Sequence, residues 1–196
     1  SSDLKKIIHY SIIENTILRA YIFYSAIIGA ATLTMAWFTQ PYFKALDIGL
    51  VYFGLIGAGL NLAVAIPSFY AYRIERLINT RILLSVILLL IIAGYFTVAY
   101  ISTLWGLLIL FLFYITRGVA TPVLRAYLNR HIPSNMRATV MSIRRFIIRV
   151  FFASTSPFLG YVADLYSLQY SLYLSGILFL FFGLIILTYL LSQEKI

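Results

Sequence analysis

Cysteine is absent from the 196 residues, which rules out disulfides, thiolate metal ligands and thiol nucleophiles together. Charge is scarce as well: 11% of the residues are charged and 62% hydrophobic, against about 25% and 45–50% in an ordinary soluble domain. So few charges cannot cover a water-facing surface, and with a mean hydropathy of +0.96 the chain reads as an integral membrane protein. Histidine is limited to His9 and His131, both placed at the rim of the spans and away from any carboxylate pair. No metal site, proton relay or cofactor is therefore expected. An intramembrane enzyme would need a nucleophile and base, or a metal cluster, at depth. The sequence offers neither.

What the sequence does hold is apolar runs of membrane-crossing length, about 20 residues each. Six are read, over residues 17–43, 48–71, 82–101, 104–128, 140–163 and 168–191. Helices are the expected form, because backbone groups in lipid must pair within the segment and no ten-residue barrel alternation is visible. Short connections at 44–47, 102–103 and 166–167 make sequential spans antiparallel neighbours.

Lys and Arg number 15 against 6 Asp and Glu, net +9, and their placement speaks for topology rather than nucleic acid. Lys5, Lys6, Arg19, Arg73, Arg76, Arg81, Arg125, Arg130, Arg137, Arg144, Arg145 and Lys195 fall on the side of the termini, whereas only Lys44 falls opposite. The positive-inside rule makes the termini cytoplasmic in a multi-pass protein of the cell (inner or plasma) membrane. Arg125, Arg144 and Arg145 are expected at the interface, serving topology or lipid headgroups. Residues 1–16 are expected to form an amphipathic linker helix on the cytoplasmic side, with Leu4, Ile7, Ile8 and Ile12 opposite Lys5, Lys6, His9 and Glu14. The opening Ser1-Ser2-Asp3-Leu4-Lys5-Lys6 has neither an initiator methionine nor a signal-peptide pattern, and is read as the start of a processed or excised segment.

Polar residues are not spread evenly over the spans. The first aligns Ser25, Gly29, Thr32, Ala36 and Gln40; the second Gly54, Gly57, Asn61, Ala65 and Ser68; the fourth Tyr114, Arg117, Thr121 and Arg125; the fifth Ser142, Arg145, Arg149 and Ser156. Such stripes line a cavity or a close helix contact. The third and sixth spans carry no mid-span charge and read as lipid-facing scaffold. Two polar-faced spans and one plain span, twice over, describe a bundle of two three-helix repeats, 17–101 and 104–192, inverted in topology.

Arg117 stands near the middle of its span, where a bare guanidinium costs about 2.5–3.5 kcal/mol on insertion scales. No acidic residue lies at mid-span to neutralise it. An anionic substrate group, a carboxylate of a missing partner chain, or helix carbonyls are the three candidate partners. Arg149 meets a milder form of the problem and can snorkel.

The run from Arg117-Gly118-Val119-Ala120-Thr121-Pro122 through Tyr127-Leu128-Asn129-Arg130-His131-Ile132-Pro133 to Arg137-Ala138-Thr139-Val140-Met141-Ser142 resembles the fourth-helix segment of a half of a major facilitator superfamily transporter. Trp37-Phe38-Thr39-Gln40-Pro41-Tyr42-Phe43, with Phe53-Gly54, resembles the seventh-to-eighth helix region of bacterial members. The resemblance covers essentially the whole chain. It implies the C-terminal six-helix half of a twelve-helix carrier of small molecules, whose partner is the N-terminal half of the same parent chain or a second copy. Ala71, Glu75, Arg76 and Arg81 resemble a degraded form of the family's conformational-switch signature, and the resemblance implies that Glu75 clusters with Arg125 or Arg130. It also implies a substrate cavity, for which Thr32, Gln40, Asn61, Tyr114, Arg117, Thr121 and Arg149 are the candidates, with Tyr24 and Trp37 as further aromatic walls. A scaffold or a self-contained half-transporter acting as a homodimer is the competing reading.

Overall fold

Asn15 breaks the chain between a surface helix and the first span. Its extended backbone ends the helix before it, while its side chain accepts the Leu18 amide at 2.9 Å and caps the helix that follows. The computed structural model describes the backbone of residues 2–193 and the side chains of residues 5–193; the Leu4 side chain and Lys195, both used in the sequence reading, lie outside the described residues. Within them the chain is helical throughout: α1 (Ser2–Ile8), continued by a π-helical segment (His9–Glu14), then α2 (Thr16–Ala45), α3 (Leu50–Leu77), α4 (Thr80–Tyr100), α5 (Trp105–Arg130), α6 (Arg137–Leu165) and α7 (Leu168–Gln193). Helices α2 to α7 are all long and apolar enough to cross a membrane. The six spans expected from sequence are these six, most of them running further at one or both ends.

The wider π turn shifts the register of the N-terminal segment. Ile7, Tyr10 and Ile12 rest against the core, whereas Ile8, placed on the apolar face by α-helical spacing, is exposed.

The main helix contacts come in pairs. The largest interface joins α3 to α5, and α2 meets α6; likewise α2 meets α7 and α5 meets α4. Exchanging the first three spans with the last three converts each of these four contacts into its counterpart, as inverted repeats require, whereas the contact of α6 with α7 has no equal between α3 and α4. Buried hydroxyls tie the layers. Tyr24 and Tyr95 donate to the carbonyls of Leu84 and Ala31 at 2.7 and 2.6 Å, joining α2 to α4. Ser171 on α7 donates to Leu159 on α6 at 2.7 Å. In lipid such pairings remove polar groups that nothing else would satisfy.

One expectation needs correction. The plain helices α4 and α7 are not merely lipid-facing: α4 buries one face against α7 and α5, α7 one against α4 and α2, and Phe179 sits fully buried between Tyr95 and Phe151. The least buried spans are α3 and α6. Mean polarity reports composition, not which face has a neighbour.

Prolines mark the same division. Pro41, Pro67, Pro122 and Pro157 lie inside α2, α3, α5 and α6 respectively, and α4 and α7 have none. Each removes one amide from the ladder and frees the carbonyl four residues earlier. For Pro122 that carbonyl is Gly118, and Ser68 of α3 donates to it at 2.8 Å. At Gly118 α5 also approaches α3 closely: a Cβ there would lie 2.5 Å from the Val64 carbonyl oxygen.

Candidate functional site, a polar groove and the ties around it

The far end of the bundle, away from the N terminus, is where α2 finishes and where α3 and α5 begin. There the three helices enclose a groove of about 460 Å³ lined by Gln40, Thr39 and Phe43 from α2, Phe53, Gly54, Gly57 and Asn61 from α3, and Tyr114 and Arg117 from α5. Its floor is made by small residues on α3: a Cβ added at Gly54 or Gly57 would meet nothing within 4 Å. Its polar groups are held by short contacts. Thr39 Oγ1 and Tyr114 Oη lie 2.9 Å apart, with Thr39 also donating to Met35, and the Asn61 amide donates to Gly57 at 2.8 Å. Arg117 is half-buried and lies 5.7 Å from the Tyr114 ring centre, a cation–π contact. Among the described residues no carboxylate pairs with it.

Of the seven cavity residues named from sequence, Gln40, Asn61, Tyr114 and Arg117 come together here. Thr32 is buried and bonds its own helix at Gly29, Thr121 is half-buried, and Arg149 is exposed on α6; none of the three lines this groove. Tyr24 is fully buried and held by Leu84, and Trp37 is 67% exposed beside Phe152, so neither forms a wall. Thr39, which orients Tyr114, was missed because it stands one position before Gln40 on the chosen stripe. The contact crosses helices 75 positions apart, and spacing along one helix cannot show it.

At the other end of the same α3–α5 pair, Glu75 is tied to Arg130 at 2.5 Å. The Glu75 side chain is 1% exposed and the Arg130 side chain 55%, so a buried carboxylate is answered by a cation reaching in from the surface. It borders a small cavity of about 170 Å³ shared with Ser68, Tyr72 and Pro122. Helix α3 runs on past Glu75 to Leu77, which puts Arg76 on its last turn. Arg76 stacks on Tyr72 at 4.3 Å, while the backbone amide of Arg81 is capped by Asn79. Arg125 lines a different cavity.

One arginine of the group expected at the interface is held inside the bundle. Arg144 is 7% exposed, and its Nε donates to Ser25 Oγ on α2 at 2.7 Å. Its exposed neighbours Arg145 and Arg149 had been aligned into the polar stripe instead. The usable signal was Gly29, the small residue that admits α6: a Cβ there would lie 2.6 Å from Ile148, one turn beyond Arg144.

Residues 21–195 match the family model described as Major Facilitator Superfamily. No curated protein and no solved structure matches the chain.

Proposed function

Because the chain belongs to the Major Facilitator Superfamily, a family of membrane transporters, we propose that it acts as the C-terminal six-helix half of a secondary carrier. The observation that carries this reading is the placement of the far-end groove and the Glu75–Arg130 tie at opposite ends of one helix pair. A groove open at one end of a helix pair whose other end is tied shut suits a bundle that moves as one body around a site facing the far side. Rocking the bundle against a companion would close the groove over Gln40, Asn61 and Arg117, while the Glu75–Arg130 tie keeps α3 on α5. Both termini of the segment would then be cytoplasmic, by the basic charge at that end.

Arg117 is the anchor in this reading, and its guanidinium selects an anionic group. Tyr114, Phe43 and Phe53 supply apolar walls. An organic anion or an amphiphile carrying one negative group fits both. The outward surfaces of α3 and α6, with Leu55, Leu62, Ile66, Phe146, Val150 and Phe158 exposed, are where the companion bundle would sit. A second copy of the chain is the alternative companion, and mass in detergent separates the two.

The test is ligand-dependent thermal stabilisation of purified protein across a panel of organic anions and amphiphilic cations, with Arg117→Ala beside wild type. Stabilisation by anions that disappears in Arg117→Ala is the expected result. Identical responses in both proteins would make the arginine structural and remove the anion assignment.

A further inference from the structure

A second cavity, of about 530 Å³, opens at the N-terminal end of the bundle between α5 and α6, and it is lined by Arg125 and Asn129 from α5, Ser134 from the connecting turn, and Arg137, Arg144 and Arg145 from α6. Helical spacing explains the gathering. Arg125 and Asn129 are one turn apart on one helix, and Arg137, Arg144 and Arg145 stand at i, i+7 and i+8 on the other. Four guanidinium groups therefore border one space, and among the described residues no carboxylate lines it. Glu75 belongs to α3 and is held there by Arg130 of α5.

Arg144 makes this a built site rather than a basic surface. It is 7% exposed and uses Nε on the Ser25 hydroxyl and Nη2, at 3.4 Å, on the Ser25 carbonyl. A guanidinium has five donors, so a charge out of water retains donors beyond those Ser25 takes. Arg125 and Arg145 are near enough for their charges to act on it. Repulsion of this kind is relieved by an anion in the space between, and arginine forks with neutral donors such as an Asn amide and a Ser hydroxyl suit an oxyanion with several acceptor oxygens. Helix α1, with Lys5 and Lys6, packs on α6, which sets the cavity at the level where a surface helix meets headgroups.

We propose that the α5–α6 arginine cavity binds a phosphate group, carried by an anionic lipid headgroup or free in solution. Nothing in this site uses Arg117 or the far-end groove, so it stands or falls apart from the transport reading.

The experiment is thermal unfolding of the purified chain in detergent with matched additions: phosphatidylglycerol against phosphatidylcholine, and inorganic phosphate against chloride at equal ionic strength. Wild type is compared with Arg144→Gln, with the double variant Arg125→Gln/Arg145→Gln, and with Arg73→Gln, an exposed arginine outside the cavity. Phosphatidylglycerol, phosphate or both should stabilise wild type beyond the matched control. Each cavity arginine removed should weaken that response about fivefold, and Arg73→Gln should leave it intact. Response to the lipid alone identifies the headgroup as the source; response to phosphate alone or to both identifies a site open to free anion. Because Arg125 and Arg145 are exposed, their double variant should melt without anion at or above the wild-type temperature. No stabilisation by either addition, or an equal loss in Arg73→Gln, would overturn the proposal.

Discussion

Ser68 on α3 donates its hydroxyl to the Gly118 carbonyl of α5 at 2.8 Å while also lying 2.7 Å from the Val64 carbonyl of its own helix. The interhelical partner matters more, because Pro122 has taken away the amide that would otherwise serve Gly118. Ser68→Ala should destabilise the fold by about 1–3 kcal/mol, the usual penalty for leaving a buried carbonyl unanswered. Pro122→Ala restores an amide, so the double variant should lose less than the sum of the two single changes. Unfolding midpoints of the four proteins in a double-mutant cycle measure that coupling, and strict additivity would sever Ser68 from Pro122.

The same crossing gives a contrast between two glycines. At Gly118 an added methyl group would lie 2.5 Å from Val64 backbone, whereas at Gly57 it would meet nothing within 4 Å. Gly118→Ala should therefore cost about 1–3 kcal/mol through forced separation of α3 and α5, and Gly57→Ala should leave thermal stability unchanged or raise it. Because Gly57 borders the groove, its substitution should show in ligand response instead. Comparable destabilisation at both positions would mean that the groove is closed by neighbours in solution.

Much of this fold is legible along the chain. Apolar run length placed all six spans, and the repeated order of polar and plain helices anticipated the inverted pairing of α3 on α5 with α6 on α2. Gln40, Asn61 and Arg117 stand out in the sequence because an uncharged lipid-facing helix has no use for them, and the structure places them on one groove. What could not be read was which side of a helix meets a neighbour. Adjacent Arg144 and Arg145 are chemically identical, yet one is buried on Ser25 and the other exposed. Phe179 lies in a helix polar nowhere at mid-span, and only the surrounding Tyr95 and Phe151 make it core.

Burial is also unequal across the Glu75–Arg130 pair, and the two halves should respond differently to removal. Arg130→Gln strands a carboxylate that is 1% exposed, and loss of one partner from a buried pair costs about 3–5 kcal/mol. Glu75→Gln leaves behind a guanidinium 55% exposed, which water can solvate, so the loss should be smaller, on the order of 1 kcal/mol. Thermal unfolding of both variants at neutral pH gives the order. Equal losses would show that the carboxylate is hydrated and that the clamp contributes little to holding α3 on α5.

The absence of cysteine makes the groove directly measurable, since any thiol introduced is the only one present. Single cysteines at Gln40 and Asn61, exposed and facing the groove, should react readily with a charged, membrane-impermeant thiol reagent in a lipid vesicle. Leu89, exposed on α4 but bordering an apolar surface groove with Leu88, Ile92 and Leu184, should resist it, because lipid rather than water covers that face. Tyr24 and Phe179, fully buried, should resist it too, and Thr32, buried at 6%, should be slow. The comparison separates exposure to water from exposure to acyl chains, which surface area alone does not distinguish in a membrane protein. Labelling of Leu89→Cys at the rate of Asn61→Cys would show that the far-end groove is no wetter than the lipid face, and with that the assignment of Arg117 to a substrate path would lose its physical basis.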